Sequence, residues 1–489
     1  MPSIKRPKQN RRVSLPPRQA TLVAETDVLV VGGGPAGLGA SLGAAEAGAS
    51  VVLAERYGFL GGNATAALVM PFVSFHTQSG APEAVSSRRV FPRDHGPGVP
   101  VVAGVLKKLV ARLSLTGDAL EPSPETGYTV PFDPEAMKSA ALSLLEEAGV
   151  ELLLHSMASD VVTERPRPAC ERKRIGGVVF ETKQGPVVVR ANTVIDCTGD
   201  GDIAAFSGTP FEMGRDEDGL VQPMTLMFRM TGFDERAFSA FARSNERQWK
   251  GVHGLWDLVY EAAAAGELHL PREDILFFGG IRSGEVFVNS TRVAGVSGTN
   301  VVDLTRAELV ARRQMSEIVR FLRRRVPGFE RGYLVQSGGI GVRETRRVVG
   351  EYRLCMDDVM SGRKFSDVIA RCPYPVDIHD PAGVGTRLER LPDGECYDIP
   401  LRCLIPRRVD CLLVAGRCIS GSHEAHSSYR VMPTSVATGQ AAGVCAALAA
   451  EYGHAPRAVP SSAVQRELLR QGASLGEDVS SRLSGSEVA

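Results

Sequence analysis

The segment from residue 27 to residue 56 reads DVLVVGGGPAGLGASLGAAEAGASVVLAER and constrains the fold more than any other part of the chain. An apolar run, typical of a strand buried on both faces of a parallel sheet, precedes a GxGxxG pattern at Gly32, Gly34 and Gly37. In such a turn the first glycine permits the tight bend, the second admits a pyrophosphate, and the third lets the helix pack closely on the sheet. Glu55 ends the next strand, where its carboxylate can accept hydrogen bonds from a ribose diol. The pattern predicts a dinucleotide-binding βαβ unit.

The residues that follow favour FAD among the dinucleotides. Arg56 would suit a 2′-phosphate, but the carboxylate of Glu55 would repel that phosphate, which leaves FAD or NAD. Residues 58–69, GFLGGNATAALV, place a second glycine pair, Gly61 and Gly62, before the predicted start of a helix of small residues. A domain for NAD does not need this extra loop, whereas a longer cofactor would lie across it. We therefore predict FAD.

Two later segments belong to the same predicted domain. Residues 191–202, ANTVIDCTGDGD, read as a strand that ends where Gly199 allows the backbone to approach a ligand. Residues 411–414 read as a buried strand, and Gly416 gives a second close approach just after it. Pro433 then opens a helix rich in Ala and Gly, and the positive end of its dipole is suited to negative charge on a reduced flavin.

Together these segments resemble the FAD-dependent oxidoreductases, a family related to the fumarate reductase and glutathione reductase folds. The resemblance extends over roughly residues 26–452 and includes further stretches at residues 286–314, 341–354, 374–385 and 397–406. It implies that FAD contacts the following residues: Gly32, Gly34, Gly37, Glu55, Arg56, Gly61, Gly62, Ala158 through its backbone, Gly199, Gly416, Arg417, Met432 and Pro433. Residues 63–65, Asn-Ala-Thr, stand where relatives with covalent FAD have a histidine, so we expect FAD to be bound noncovalently.

Composition restricts the partners and the compartment. The 489 residues include 56 basic and 56 acidic side chains, so no net charge draws the chain to nucleic acid or to an anionic membrane. No apolar run reaches the ~20 residues that are needed to span a bilayer. Nine cysteines without a CxxC pair argue against a zinc site or a redox-active dithiol. Their odd number, without a signal peptide, favours a cytoplasmic protein.

We predict an α/β fold in which a doubly wound, Rossmann-like FAD-binding domain carries an inserted mixed α+β substrate domain. In the substrate domain we expect an antiparallel sheet and a helix over residues 303–325. The predicted boundaries are 1–20 for a disordered basic tail, 24–210 and 395–455 for the discontinuous FAD-binding domain, 211–394 for the substrate domain, and 456–489 for a C-terminal helix and tail.

Two other classes of flavoprotein fit the sequence less well. A second nucleotide domain, as in disulfide reductases, would need a second strand with a terminal acid, which the glycine cluster at residues 337–341 lacks. A flavin hydroxylase would resemble its family through a late GD-A-x-H signature, but the similar GDGDIA at residues 199–204 comes too early. A flavin monooxygenase stays an alternative, and so does a non-catalytic binding protein on the FAD fold.

His379 is the first candidate for acid–base chemistry. It lies in the segment VDIHDP, a predicted Pro-rich loop where a role in an apolar core is less natural. Asp377 or Asp380 could orient its ring and set the tautomer. The alternative is a loop histidine that caps a turn.

His423, His426, Arg402 and Arg430 complete the catalytic candidates. The two histidines precede the predicted flavin-facing helix with i, i+3 spacing, and because no third ligand is evident we expect no metal there. They contact flavin or substrate, or they are structural. Arg402 and Arg430 are expected to contact substrate or flavin O2, since an arginine fork suits a carboxylate. The arginines of residues 343–347 surround a glutamate, which favours a structural ion-pair network.

These features predict an FAD-dependent oxidoreductase that transfers a hydride between a small oxygenated metabolite and noncovalent FAD. It would be a dehydrogenase or reductase whose partners are a small-molecule substrate and an external electron donor or acceptor. The loop histidines and the intact helix start at residues 430–434 favour an enzyme over a binding protein. The sequence leaves the substrate, the direction of the reaction and the oligomeric state open.

Overall fold

The computed structural model describes residues 13–14, 16–77, 98–123, 126–164, 172–250, 252–383 and 385–484. Residues 1–12 of the predicted basic tail lie outside the described residues, and residues 16–20 have no regular secondary structure. The strands are β1 (Thr21–Val31), β2 (Val51–Ala54), β3 (Glu151–Leu153), β4 (Met157–Glu164), β5 (Lys173–Thr182), β6 (Gly185–Asp196), β7 (Phe211–Met213), β8 (Phe228–Thr231), β9 (Trp249–Lys250), β10 (His253–Gly254), β11 (Ile275–Gly279), β12 (Glu285–Val288), β13 (Tyr333–Ser337), β14 (Arg346–Val348), β15 (Val368–Cys372), β16 (Val376–His379), β17 (Thr386–Glu389), β18 (Tyr397–Pro400), β19 (Val409–Asp410) and β20 (Leu412–Val414). The α-helices are α1 (Pro35–Glu46), α2 (Val105–Leu115), α3 (Pro134–Glu147), α4 (Asp202–Phe206), α5 (Glu235–Ser244), α6 (Trp256–Ala264), α7 (Val301–Arg325), α8 (Met356–Met360), α9 (His423–Tyr429), α10 (Met432–Glu451), α11 (Ser461–Arg470) and α12 (Glu477–Ser484).

The largest sheet has a parallel centre with the strand order β3-β2-β1-β6-β20. Val31 at the end of β1 lies opposite Ala54 of β2 and Asp196 of β6, so the carboxyl ends of these strands meet at one edge. Strands β4 and β5 extend the amino-terminal half of β6 as an antiparallel meander. The apolar run of β1 is buried, as expected for a strand covered on both faces. The sheet confirms the predicted α/β fold class.

Helices α1 and α10 pack so closely that their contact requires glycine. A Cβ at Gly39 would lie 2.1 Å from the carbonyl O of Val436, and a Cβ at Gly443 would lie 2.1 Å from that of Ala40. Pro433 lies in the first turn of α10, as its sequence predicts. The contact joins α1, near the start of the described chain, to α10, near its end.

The second large sheet is antiparallel and has the order β13-β8-β12-β11-β10-β9. Helix α7 packs against it, since Ile318 and Phe321 share a buried cluster with Phe228 and Phe277. The side chain of Asn300 caps the helix, which begins two residues before the expected 303–325.

Buried apolar side chains form two clusters, one mostly from residues 28–204 and 348–483 and one from residues 224–329. The domain boundaries stay a prediction. After the second glycine pair the chain forms a single 3₁₀ turn, Gly62–Ala64, so the predicted start of a helix there is wrong. Gly61 and Gly62 have positive φ at the start of this turn and Leu68 has positive φ shortly after it, so the backbone does not continue into an α-helix.

No single helix in the described ranges is long and apolar enough to cross a bilayer. Helices α9 and α10 satisfy length and composition only as a pair that is bent by 94°. Nearly all of their side chains are buried in the protein core.

Candidate functional site

A cavity of about 430 Å³ opens at the carboxyl ends of β1, β2, β6 and β20, which is where open α/β sheets bind ligands. Most of the predicted cofactor residues line it: Gly32, Gly34, Glu55, Arg56, Gly62, Ala158, Gly199, Gly416, Arg417 and Met432. Gly37, Gly61 and Pro433 lie behind this lining. A Cβ at Gly37 would lie 1.8 Å from the O of Gly32, and the N–H of Gly61 donates to the O of Gly33 at 2.8 Å.

Glu55 holds the glycine-rich turn in place. Its Oε2 accepts a hydrogen bond from the N–H of Gly33 at 2.6 Å, and its Oε1 accepts one from Tyr57 at 2.9 Å. The carboxylate is buried but lines the cavity, and each oxygen keeps a lone pair for a ribose hydroxyl. At Gly32 φ is +104°, and a Cβ would lie 2.5 Å from the carbonyl O of Cys197, so this turn requires glycine.

Helices α1 and α10 both begin at the cavity, where Pro35 and Met432 belong to its wall. In the described residues, neither helix has a side chain that caps its first turn. The N–H groups of a first turn lack intrahelical partners, and they favour negative charge together with the helix dipole. The start of α1 therefore suits a pyrophosphate, and the start of α10 suits a flavin that carries negative charge.

Arg417 adds an unpartnered donor to this wall. Its Nη2 donates to Asp200 Oδ1 at 2.8 Å, while its Nη1 is buried without a hydrogen-bond partner among the described residues. Gly199 lies against the guanidinium, where a Cβ would come within 2.8 Å of Nη2. A Cβ at Gly62 would lie 2.7 Å from the Cα of Gly34. The loops that carry these two glycines therefore present backbone atoms without side chains to the cavity. Backbone walls, uncapped helix starts and a free donor fit the phosphates and rings of FAD.

The chain matches the family described as FAD dependent oxidoreductase over residues 27–468. It belongs to this family. The protein is therefore an FAD-dependent oxidoreductase, and the predicted family and cofactor are confirmed. None of the curated proteins matches the chain.

Solved structures of similar fold are distant. A geranylgeranyl bacteriochlorophyll reductase-like protein from Thermoplasma acidophilum is 13% identical with a TM-score of 0.45, over 92% of this chain and 84% of that one. The p-nitrophenol 4-monooxygenase PnpA from Pseudomonas putida is 12% identical with a TM-score of 0.44, over 92% and 85%. At these values the likenesses carry no argument about the reaction.

His379 is the last residue of β16 and pairs with Thr386 of β17, so the predicted loop is in fact a hairpin strand. Its Nε2 lies 3.6 Å from Asp377 Oδ2, and its Nδ1 lies 3.4 Å from Thr386 Oγ1. Asp380 instead lies 3.6 Å from the guanidinium of Arg215. Burial lowers the pKa of His379 to about 3, and the nearby charge of Arg343 lowers it further, while Asp377 acts in the opposite direction. The ring is therefore neutral near pH 7.

The two predicted substrate arginines lie in different places. Arg430 lines the cavity, its Nη2 donates to the carbonyl O of Asp377 at 3.2 Å, and its Nε is buried without a partner in the described part of the chain. Arg402 does not line the cavity. It donates to the carboxylate of Asp367 at 2.8 and 3.1 Å and stacks over the ring of Tyr352. The structure thus brings Arg430, but not Arg402, to the FAD site.

His423 and His426 are buried on α9 and are not among the residues that line the cavity. His423 Nδ1 lies 2.9 Å from Glu344 Oε1, and the same carboxylate pairs with Arg347. His426 packs edge-on against Tyr429, and burial lowers its pKa well below the ordinary value. His423 Nε2 and His426 Nδ1 have no hydrogen-bond partner among the described residues. Their catalytic role stays a prediction.

Sequence reasoning did not assign Arg343 and Gln222 to the site. Arg347, and not Arg343, forms the ion pair with Glu344, whereas Arg343 Nη1 donates to the carbonyl O of Pro223 at 2.7 Å. Burial lowers the pKa of Arg343 to about 9, together with the nearby charge of Arg430. Gln222 Oε1 accepts from the N–H of His379 at 3.3 Å. No motif marks Gln222, because its position depends on contacts more than 100 residues apart in sequence.

Proposed function

We propose that this enzyme is a dehydrogenase or reductase that transfers a hydride between a small oxygenated metabolite and noncovalently bound FAD, with an external electron donor or acceptor. The observation that carries the proposal is the position of His379, because its Nε2 lies 3.6 Å from Asp377 and the same carboxylate lies 3.4 Å from Arg430 of the cavity wall. When it is bound, FAD supplies the redox chemistry at its isoalloxazine ring.

His379 moves the proton that accompanies the hydride. With Asp377 beside Nε2, the ring carries its proton on that nitrogen, and Nδ1 keeps the lone pair that makes it a base. In the direction of oxidation, Nδ1 accepts the proton of a substrate hydroxyl. In the direction of reduction, the protonated ring returns a proton to the product. Asp377 holds the ring and stabilises its charged form.

The cavity wall, to which His379 does not belong, orients the substrate and limits water. Leu304, Ile340 and Val342 form an apolar part of this wall. Asn63 lines the cavity where covalent relatives carry a histidine, and no histidine occurs among the described residues that line it. This composition supports noncovalent FAD.

The proposal is tested by anaerobic reduction of the purified holoenzyme with a panel of alcohols, hydroxy acids and sugars, monitored through flavin absorbance. We expect one class to bleach the flavin, and His379→Ala to slow that reduction by about 10²-fold or more, since a positioned base contributes 10²–10⁴-fold. His454→Ala, at an exposed position, serves as the matched control and should reduce at the wild-type rate.

Retention of FAD in each variant separates a lost base from a lost fold. If the flavin of His379→Ala is reduced at a near wild-type rate, His379 is not the base. Flavin reduction by NADPH, with an oxygen atom from O₂ in the product, would support the monooxygenase alternative instead. Acid precipitation should release free FAD into the supernatant, whereas flavin that stays with the pellet would contradict noncovalent binding.

A further inference from the structure

Four arginines converge beside the FAD cavity, and we call Arg272, Arg292, Arg343 and Arg430 the arginine cluster. They come from distant parts of the sequence: the segment before β11, the segment after β12, the segment before β14 and the link between α9 and α10. Arg430, Arg272 and Arg292 each act on Arg343 to lower its pKa, so these three charges lie within electrostatic reach of Arg343. Strand β16 brings Arg430 close to Gln222, since Arg430 Nη2 donates to the carbonyl O of Asp377 and Gln222 Oε1 accepts from the N–H of His379. Like charges this close in a buried region repel strongly unless anions compensate them.

In the described part of the chain, carboxylates form direct contacts with only two arginines of the cluster. Arg272 donates to Asp274 Oδ1 at 3.0 Å, and Arg430 Nη2 lies 3.4 Å from Asp377 Oδ2. Among the described residues, the side chain of Arg292, which is 3% exposed, donates to the carbonyl oxygens of residues 380, 383 and 385 and to no carboxylate. Arg343 Nη1 donates to the carbonyl O of Pro223 and to Thr225 Oγ1 at 2.6 Å.

Within the described residues, neither Arg292 nor Arg343 forms an ion pair with a carboxylate. Three carboxylates lie within electrostatic reach of these four arginines: Asp274 and Asp380 act on Arg292, and Asp377 acts on Arg343. Asp380 also lies 3.6 Å from Arg215. The four arginines therefore exceed the nearby carboxylates by one positive charge. Uncompensated buried charge is unfavourable, so a bound anion would be favoured here.

Unpartnered donors accompany this charge. The Nε atoms of Arg292 and Arg430 are buried without acceptors in the described part of the chain. Gln222 is 1% exposed, and because its Oε1 accepts from the N–H of His379, its Nε2 is left as a buried donor without an acceptor. Guanidinium and amide N–H groups only donate, so the group that satisfies them must be an acceptor.

We propose that Arg343, Arg430 and Gln222 bind the carboxylate of the substrate, so that the enzyme acts on a small organic acid. The inference rests on the proposed function and adds the substrate class to it. Arg430 lines the FAD cavity, and Val342, next to Arg343, lines it as well. An acid held there lies beside His379, which shares Asp377 with Arg430.

A carboxylate fits this subsite because arginine forks recognise planar, two-oxygen anions. The negative charge of the carboxylate would also offset the positive charge of Arg343, which lowers the pKa of His379. Substrate binding would therefore raise the pKa of His379 and make its ring a better base. A hydroxy acid presents a hydroxyl next to the bound carboxylate in the direction of oxidation. An unsaturated acid presents a double bond in the direction of reduction.

The test is a titration of the FAD-loaded enzyme with acetate and malonate, which carry no alcohol to oxidise, no double bond to reduce and no pair of adjacent C–H carbons to dehydrogenate. The readouts are the flavin difference spectrum and the midpoint of thermal unfolding, with sodium chloride at equal ionic strength as the control for screening. We expect saturable spectral changes with at least one acid. Arg343→Gln should weaken binding by about tenfold or more, because it removes the charged donors that hydrogen-bond to the carboxylate.

Arg313→Gln, an exposed position on α7, is the matched control and should bind as the wild type does. Arg343→Lys keeps the charge without the fork and should give an intermediate loss. If the Arg343 variants do not retain FAD, Gln222→Glu places a negative charge in the subsite and should abolish acid binding while FAD stays bound.

The inference and the proposed function fail in different ways. If the acids change neither spectrum nor midpoint beyond the chloride control, or if uncharged alcohols reduce the flavin as fast as hydroxy acids do, the carboxylate subsite is wrong. If acids bind but no compound in the panel exchanges electrons with the flavin, the subsite stands and the proposed dehydrogenase or reductase activity is wrong.

Discussion

The neutral imidazole of His379 makes the folded protein sensitive to acid. In an unfolded chain a histidine has a pKa of about 6.5, whereas burial and the charge of Arg343 lower the pKa of His379 to about 3 in the native state. As the pH falls below 6.5, the unfolded chain binds a proton that the native state does not bind. The contribution of His379 to stability is therefore complete above pH 6.5 and is lost progressively between pH 6.5 and 3.

Replacing His379 with glutamine should remove this proton linkage. Between pH 7.5 and pH 5.0 the wild type should lose about 2 kcal/mol more unfolding free energy than His379→Gln, since each pH unit below 6.5 is worth about 1.4 kcal/mol. Urea unfolding of the FAD-loaded proteins at the two pH values measures the difference. His454→Gln at an exposed site should keep the wild-type dependence, and equal slopes for wild type and His379→Gln would show that His379 titrates normally.

Individual residues also show which features of the site the sequence predicts and which it does not. Glycines whose roles follow from a motif, such as Gly32 and Gly37, occupy the tight positions that the motif requires. Arg402 and Arg430 looked equivalent in sequence, but a 3₁₀ turn after β18 directs Arg402 to Asp367. The sequence predicts that Arg343 belongs to an ion-pair network around Glu344. In the structure Arg343 does not pair with Glu344 and donates to the carbonyl O of Pro223 instead. The direction of a side chain depends on long-range packing that spacing does not encode.

At the scale of elements, the contact between α1 and α10 controls the cofactor site, because both helices begin at the cavity. Glycine-to-alanine changes inside helices ordinarily stabilise them by about 1 kcal/mol. At Gly443 the new Cβ would lie 2.1 Å from the O of Ala40 and 2.8 Å from the N of Ala44. These are backbone atoms that cannot move aside singly, so the helices must separate.

Gly443→Ala should therefore destabilise the protein by about 1–3 kcal/mol, as overpacked cores do, and should weaken FAD binding. Thermal unfolding with and without added FAD, together with a fluorescence titration of FAD, measures both effects. A gain of about 1 kcal/mol, the result that helix propensity alone predicts, would show that the interface relaxes at no cost.

The helices and strands were largely predictable where the pattern of apolar residues and glycines in the sequence was strong. The strands and helix of the first βαβ unit, α10 and α7 all occur close to their predicted positions. The turn after Gly61 and the strand that carries His379 were not predicted. Short segments of this kind take their structure from tertiary contacts, such as the hairpin partner of β16, and local propensity does not decide between alternatives.

At the scale of the whole molecule, the FAD cavity joins both ends of the described chain. Its wall includes Gly32 and Glu55 near the start and Arg417 and Met432 near the end. A ligand that contacts both regions binds the native state and not the unfolded chain. It therefore stabilises the fold by RT ln(1 + [L]/Kd), or about 2.7 kcal/mol at a concentration of 100 Kd.

The midpoint of thermal unfolding should accordingly rise with FAD concentration and continue to rise after the site is saturated. Riboflavin is the matched ligand, because it carries the flavin ring without the pyrophosphate that α1 is suited to bind and without the ribose diol that Glu55 is suited to bind. We expect riboflavin to raise the midpoint much less than FAD at equal concentration. If both ligands act equally, the glycine-rich turn contributes no binding energy, and the role that the first βαβ unit predicts for it would have to be abandoned.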